Sequence, residues 1–170
     1  MTCYKTTTPY AANYRQGVGL IVKNKEQKLL FARRLDHSTP SFDALAVNEQ
    51  GWQFPQGGID SGEAPHQAAE RELMEEIGTN FVSLLRFTEF WYSYDLPSDL
   101  SPVLWGGRFK GQTQKWFLFD FFGKDCDINL TKHQQEFSTW KWVEPQEALD
   151  SIVSFKRQVY EVVLKEFKLL

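Results

Sequence analysis

The chain has 170 residues, an aromatic content of 15% and a formal net charge of -3. This length suits one domain with its own core rather than two, and the acidic balance argues against a protein that coats nucleic acid through phosphate neutralisation. Cys3 and Cys126 lack the spacing of a zinc site or a disulfide framework, and no apolar run approaches membrane-spanning length. We therefore expect a single domain over 1–170, in the cytoplasm and without a membrane partner.

The first part of the chain predicts a hairpin that follows an irregular start. Residues 1–12 mix polar and aromatic types without periodicity and are expected to form a loose arm. The apolar runs 18–22 and 29–32 predict two strands, joined by the polar stretch 23–28. Residues 35–51 are rich in turn-forming types and predict a long loop.

The middle of the chain predicts a helix that follows a glycine-rich loop. Pro65 suits the first helical turn, and Gly78 suits the C-terminal end. Ala69, Leu73 and Ile77 recur at i, i+4 and i+8, so they predict a narrow apolar stripe facing the core.

The rest of the chain predicts strands around a second loop, and then helices. The predicted elements are a strand at 81–94, a loop at 95–111, a central apolar strand at 114–122, an alternating last strand at 138–143, a short helical turn from Pro145 and a final helix to about residue 168. Ser154 is expected to cap that final helix. Strands and helices in this order predict a mixed sheet between helices.

Three carboxylates share a second face of the predicted middle helix. At about 100° per residue, Glu72, Glu75 and Glu76 fall within a sector of roughly 100°. Like charges at this spacing repel by a few tenths of a kcal/mol per pair, which a hard divalent cation such as Mg²⁺ would offset. Arg71 lies one turn before Glu75 and can hold its carboxylate. For three glutamates taken alone, a solvated acidic face is the alternative explanation.

The loop and the helix together resemble the Nudix box, G-x5-E-x7-R-E-U-x-E-E-x-G-U, where U is a bulky aliphatic residue. The matching positions are Gly57, Glu63, Arg71, Glu72, Leu73, Glu75, Glu76 and Gly78. Thr79 departs from the pattern, which we interpret as a local packing change. The resemblance implies the Nudix fold, an α/β/α sandwich with a mixed sheet, and hydrolysis of a nucleoside diphosphate linked to another group.

The resemblance also implies roles for individual residues. The metal ligands would be Glu72, Glu75, Glu76 and the outlying Glu136, which precedes the last predicted strand; the cation would be Mg²⁺, or Mn²⁺. The residues expected to take part in catalysis are Glu75, Glu72, Glu136 and Arg71, with one of the carboxylates near the metal as base. The loop expected to bind phosphate contains Gly57, Gly58 and Glu63.

Four further stretches resemble the bacterial RNA 5′-pyrophosphohydrolase branch of that family, at 14–19, 52–58, 111–117 and 153–157. Members of the branch remove pyrophosphate from triphosphorylated 5′ ends, which exposes the transcript to decay. The resemblance implies that the RNA contacts are Arg15, Arg34, Tyr94, Phe155 and Lys156. In the first turn of the last helix, Phe155 and Lys156 are expected to lie close to solvent, available for stacking and phosphate binding. The alternatives are a core position for Phe155, which shares helical spacing with Ile152 and Val159, and a merely solvated Lys156.

The sequence leaves several readings of the function open. The first hypothesis is hydrolysis at 5′-triphosphorylated or 5′-diphosphorylated RNA ends, and the alternative is hydrolysis of dinucleoside polyphosphates of the Ap4A and Ap5A type at the same site. Mononucleotide triphosphates come third, because aromatic and basic groups outside the box exceed what they need. A catalytically inactive Nudix binding module is expected to lose a box glutamate, and all three are present. The number of metal ions, the identity of the base and the oligomeric state also stay open.

Overall fold

A computed structural model describes residues 3–9, 12–35, 51–98 and 104–170. Over these residues the elements are β1 (Tyr4–Thr6), β2 (Tyr14–Lys23), β3 (Leu29–Arg34), β4 (Trp52–Gln53), β5 (Gln56–Gly58), α1 (Pro65–Ile77), β6 (Val82–Phe87), β7 (Trp91–Asp95), β8 (Gly111–Phe121), β9 (Phe137–Val143), α2 (Pro145–Ser151) and α3 (Ser154–Glu166). The predicted loop 35–51 lies outside the described residues except at its two ends.

The strands form one mixed sheet with β2 and β8 at its centre. These two strands run parallel, from Tyr14 opposite Gly111 to Lys23 opposite Asp120. On the other edge of β8, β7 pairs with the first half and β6 with the second half, both antiparallel. On the other edge of β2, β5 and β3 are both antiparallel, and β3 in turn pairs with β4 and β9. The predicted hairpin and central strand are therefore confirmed.

Alternate residues of β8 face two separate cores. On one face, Trp116 packs with Phe54 and with Tyr160 of α3. On the other face, Phe117 packs in a cluster with Leu73 of α1. Because strand side chains alternate between faces, the sheet lies between α1 and α3, and the predicted α/β/α sandwich is confirmed.

Helix α1 begins and ends as predicted from its sequence. Pro65 is its first residue, and Gly78 caps it in the left-handed conformation with φ 67°. The Gly78 N–H donates to the Met74 carbonyl, and a Cβ at Gly78 would lie 2.1 Å from the Asn129 carbonyl oxygen. The predicted stripe of Ala69, Leu73 and Ile77 is buried, as expected.

Three local predictions are corrected by the structure. Tyr4–Thr6 form β1, paired with β7, so part of the predicted arm belongs to the sheet. The predicted strand 81–94 is two strands, because the chain turns at Thr88, whose hydroxyl donates to the Phe90 carbonyl. The N-cap of α3 is Val153 rather than Ser154, and no side chain caps that end.

Two expectations from composition concern the cysteines and the helices. Both described cysteines, Cys3 and Cys126, are free thiols. In the described part of the chain, none of the helices combines the length and apolar character needed to cross a bilayer.

Candidate active site

Arg71 of α1 ties the glycine-rich loop to the acidic face of the helix. Its Nε and Nη2 donate to the two carboxylate oxygens of Glu63, each at 2.8 Å. Its Nη1 donates to Glu72 at 2.7 Å and to Glu75 at 3.2 Å, and Nη2 also donates to the Gly58 carbonyl at 2.8 Å. The predicted contact between Arg71 and Glu75 is present, and one guanidinium holds three carboxylates in place.

Glu63 shapes the loop through both of its oxygens. The Asp60 N–H donates to the Glu63 carboxylate at 2.9 Å, and the Glu63 N–H donates to the Asp60 carbonyl at 3.0 Å. The hydrogen bond from Arg71, followed by that from the Asp60 backbone, lowers the pKa of Glu63 to about 2. Glu63 therefore stays charged and bound to Arg71, so its part in the predicted phosphate-binding loop is to fix the loop's shape.

Glu76 is an almost fully buried carboxylate with one satisfied oxygen. Its exposed fraction is 1%, and its Oε2 accepts a hydrogen bond of 2.7 Å from the Gln56 N–H. Within the described residues, Oε1 has no hydrogen-bond partner. Burial, and then the charges of Glu136 and Glu72, raise the pKa of Glu76 well above its ordinary value. An arrangement that disfavours the ionised carboxylate in this way is one that a bound cation would relieve.

Glu72 and Glu136 complete the acidic group. Burial raises the pKa of Glu72, and the hydrogen bond from Arg71 opposes that shift. Glu136, which immediately precedes β9, raises the pKa of both Glu72 and Glu76 by its charge, so it lies near enough to act on both, and its role as a ligand or base stays a prediction. Arg34 donates to Glu136 at 3.3 Å. The predicted RNA contact Arg34 is thus paired with a site carboxylate.

The donor set fits a hard divalent cation. Across residues 3–9, 12–35, 51–98 and 104–170, no three acidic, histidine or cysteine side chains already converge as a ligand group. The unpartnered Glu76 Oε1 and the burial that raises the pKa values of Glu72 and Glu76 nevertheless fit carboxylates that a cation would stabilise in the ionised form. Oxygen ligands of this kind suit Mg²⁺ or Mn²⁺, and the assignment of Glu72, Glu75, Glu76 and Glu136 as ligands stays a prediction.

The raised pKa of Glu76 predicts how stability depends on pH without a divalent cation. Above the ordinary value of 4.5 the folded protein binds more protons than the unfolded chain, so the free energy of unfolding falls as pH rises. In a chelator we expect Tm to decrease from pH 5 to pH 8, and Mg²⁺ to reverse the decrease. Thermal denaturation of Glu76→Gln should give a flatter profile; an unchanged slope would contradict this origin.

Two neighbouring glycines make room for two different side chains. A Cβ on Gly57 would lie 1.8 Å from the Glu72 carboxyl carbon, whereas a Cβ on Gly58 would lie 2.4 Å from the far end of the Arg15 guanidinium. Gly57→Ala must displace a carboxylate that Arg71 holds, so we expect kcat for pyrophosphate hydrolysis to fall at least about tenfold. Gly58→Ala, its matched control, displaces a flexible group and should mainly raise KM. Equal kcat in the two variants would contradict the role of Glu72.

The expected exposure of Phe155 and Lys156 is wrong. Their exposed fractions are 7% and 3%, and Tyr94 is 2% exposed. Since α3 begins at Ser154, Phe155 falls four residues before the buried Val159, on the face that packs against the sheet. Lys156 Nζ donates to the Gln53 side chain at 3.1 Å. The three residues form part of the core in this structure, and their role as RNA contacts stays a prediction.

Arg15 is one of the predicted RNA contacts. Its guanidinium stands against the open side of Gly58, and its charge helps to lower the pKa of Tyr94 against the larger effect of burial. Arg15 therefore lies beside the glycine-rich loop and close enough to Tyr94 to affect its pKa, and its role as an RNA contact stays a prediction.

Sequence reasoning missed a set of buried glutamines beside this site. They are Gln53, Gln112 and Gln114, with exposed fractions of 7%, 4% and 1%, and the less buried Gln56. All four lie inside the stretches 52–58 and 111–117. Glutamines are seldom buried, so several of them within short apolar strands could have indicated a polar group in the core.

Comparison with known proteins agrees with this geometry. The model of the NUDIX domain matches residues 13–163. An RNA pyrophosphohydrolase of Rhodospirillum rubrum is 50% identical over 153 residues, which cover 90% of this chain and 86% of that protein. An RNA pyrophosphohydrolase of Rickettsia africae is 43% identical over 157 residues, covering 92% and 91%.

Solved structures share the fold at lower identity. The E. coli dihydroneopterin triphosphate pyrophosphohydrolase has a TM-score of 0.63 at 22% identity and covers 89% of this chain and 98% of its own. A C. elegans Ap4A hydrolase binary complex has a TM-score of 0.60 at 21% identity, covering 91% and 95%. With the box residues assembled around Arg71 and the domain model matching most of the chain, the chain belongs to the Nudix family.

Proposed function

We propose that this protein removes pyrophosphate from the 5′-triphosphate end of RNA and leaves a 5′-monophosphate, with Mg²⁺ or Mn²⁺ as cofactor. The observation that carries the proposal is the 43–50% identity to proteins named RNA pyrophosphohydrolase over about nine tenths of the chain. Nudix hydrolases generally need a divalent metal, and the unpartnered oxygen of Glu76 supports a cation here. When bound, the cation would polarise a phosphoryl oxygen and lower the pKa of a water ligand.

The charges around the loop support an anionic substrate held near the helix. Arg15 stands over Gly58, so a phosphate reaching the loop meets a guanidinium, which suits phosphate geometry. Arg71 is fully engaged by carboxylates and orients them rather than the substrate. One of the carboxylates among Glu72, Glu75 and Glu136 would take the proton of the attacking water.

A second candidate is the hydrolysis of dinucleoside polyphosphates. The burial of Phe155 and Lys156 favours it, because a small substrate bound by its phosphates needs no contact with a base-stacking residue on α3. The shared fold with an Ap4A hydrolase, at 21% identity, does not decide between the two.

A direct comparison of substrates tests the proposed function. The purified protein would be given 5′-triphosphorylated RNA, 5′-diphosphorylated RNA and diadenosine polyphosphates, each with Mg²⁺ and with a chelator. We expect RNA with a 5′-monophosphate as the main product, and loss of turnover in the chelator. A kcat/KM for diadenosine polyphosphates well above that for both RNAs would replace the first candidate by the second.

Phe155→Ala is expected to separate the two substrate classes. If the ring stacks on a base, its loss should raise KM for RNA by about 5- to 150-fold, from the 1–3 kcal/mol of a base–aromatic contact. The KM for a diadenosine polyphosphate should change little. Phe167→Ala removes another buried ring of the same core cluster, near the C-terminal end of α3, and controls for lost packing. Equal losses on both substrates would remove the reason to assign Phe155 to RNA.

A further inference from the structure

Four polar side chains on the α3 side of the sheet are linked by hydrogen bonds, and we name this group the glutamine ring: Gln56, Tyr94, Gln112 and Gln114. The Tyr94 hydroxyl donates to Gln112 Oε1 at 3.0 Å. Gln114 Nε2 donates to the same oxygen at 2.9 Å and to Gln56 Oε1 at 3.3 Å. Gln56 also lies close enough to the Tyr94 hydroxyl to lower the pKa of Tyr94, although burial raises it more.

With the Gln56 and Gln112 amides as they stand, the amide of Gln114 takes one orientation in this ring. Its NH₂ group donates to two side-chain oxygens, and a rotation that exchanged Nε2 and Oε1 would set oxygen against oxygen. In the orientation present, Gln114 Oε1 is buried and has no partner among the described residues. A polar group kept buried with an unsatisfied acceptor is poorly explained by stability alone. We therefore look for the role of Gln114 in the two hydrogen bonds that its amide donates, to Gln56 and to Gln112.

The glutamine ring contacts the acidic site through Gln56. The Gln56 N–H donates to Glu76 Oε2 at 2.7 Å, so the residue that Gln114 holds by its side chain is the one that orients Glu76 by its backbone. On the opposite side, the Tyr94 ring lies 5.8 Å from the Phe155 ring. The ring therefore connects the carboxylate expected to bind metal with the aromatic residues expected to bind nucleotide.

We propose that the glutamine ring fixes the orientation of Glu76, and that Gln114 is a positioning residue of the Nudix site. The proposal rests on the proposed function only in taking Glu76 as a ligand of the divalent cation. Without the Gln114 amide, the Gln56 side chain loses its donor, the backbone N–H of Gln56 is less constrained, and Glu76 Oε2 is held less firmly. Groups that orient a metal ligand typically change metal affinity or activity by 10- to 100-fold when they are removed.

Gln114→Ala and the isosteric Gln114→Glu test this assignment. Both should lower kcat about 10- to 100-fold and raise the half-saturating Mg²⁺ concentration several-fold, with little change in substrate KM. The affinity for Mn²⁺ without substrate, followed by electron paramagnetic resonance, should weaken in parallel. The control is Ser93→Ala, which removes a buried hydrogen bond between β7 and β8, from Ser93 to Thr113, and should leave all three quantities within about twofold.

Two outcomes would overturn the proposal. One is unchanged Mn²⁺ affinity and kcat in both Gln114 variants; the other is an equal loss in Ser93→Ala. If Gln114→Ala does not fold, Gln114→Glu and Tyr94→Phe, which removes one hydrogen bond of the ring and keeps its shape, carry the same test. The Mn²⁺ measurement needs no RNA, so failure of the proposed substrate would leave this test intact.

Discussion

Glu75→Gln is expected to lower kcat by about two to three orders of magnitude while the protein stays folded. The Glu75 side chain is 48% exposed, and Arg71 contacts it at 3.2 Å without burying it. Its charge is therefore available to a cation or to an attacking water, and its removal costs little packing. Steady-state kinetics with Mg²⁺ and thermal denaturation of the same preparation would measure both halves of the expectation.

Glu70→Gln is the matched control for that substitution. Glu70 is exposed on the same helix, but it lines a groove with Leu73, Met74 and Phe119 rather than contacting Arg71. It should keep kcat within about twofold, since it carries the same charge on the same helix at a different face. A Glu75→Gln enzyme with kcat near that of the Glu70→Gln enzyme would contradict a catalytic or metal-binding role for Glu75.

The geometry of the box could be predicted because it depends on local rules. Helical periodicity sets Glu72, Glu75 and Glu76 on one face, and the proline and glycine at the ends fix where α1 begins and ends. What periodicity could not supply is the burial of each carboxylate. Glu76 is almost fully buried and Glu75 is exposed, because β5 covers one side of the acidic face and leaves the other open.

The exposure of α3 residues depends on tertiary packing. Lys156 reads as a solvated lysine in sequence, yet it lies four residues before the buried Tyr160 and donates to Gln53, a residue 103 positions away. No local pattern contains that contact.

Long-range pairing explains the errors among the strands. Tyr4–Thr6 lack any periodicity, and they become a strand because β7 offers an open edge 87 residues later, with Lys5 opposite Tyr92. The break between β6 and β7 is caused by contacts with β8. Thr88 donates its N–H to the Trp116 carbonyl and accepts the Trp116 N–H at its hydroxyl. Neither partner can be inferred from the residues of the segment itself.

Arg71→Ala is expected to damage stability and activity together. Arg71 makes five hydrogen bonds, to Glu63, Glu72, Glu75 and the Gly58 carbonyl, and its removal leaves the buried Glu72 without its guanidinium partner. Breaking a buried ion pair from one side costs about 3 kcal/mol in the free energy of unfolding. Because the loop and the carboxylates lose their common anchor, kcat should also fall by at least about a hundredfold.

The loss of stability should depend on pH in a defined direction. The hydrogen bond from Arg71, followed by that from the Asp60 backbone, lowers the pKa of Glu63 from 4.5 to about 2, so this group stabilises the fold above pH 4.5 and loses that contribution as pH falls to about 2. The difference in Tm between Arg71→Ala and the unchanged protein should therefore be full at neutral pH and shrink in acid. Arg71→Lys should restore the positive charge but not the planar guanidinium, which contacts Glu63 and Glu72 at the same time. We therefore expect it to restore only part of the activity.

Arg86→Ala provides the comparison, because Arg86 is an exposed arginine on β6 outside the site. Its removal should change the free energy of unfolding by less than about 0.5 kcal/mol at any pH. Denaturant unfolding of the three variants from pH 3 to pH 8 would measure the profile. An Arg71→Ala protein as stable as Arg86→Ala at neutral pH would mean that the loop and the helix hold together without the guanidinium, and that Arg71 acts on the reaction alone.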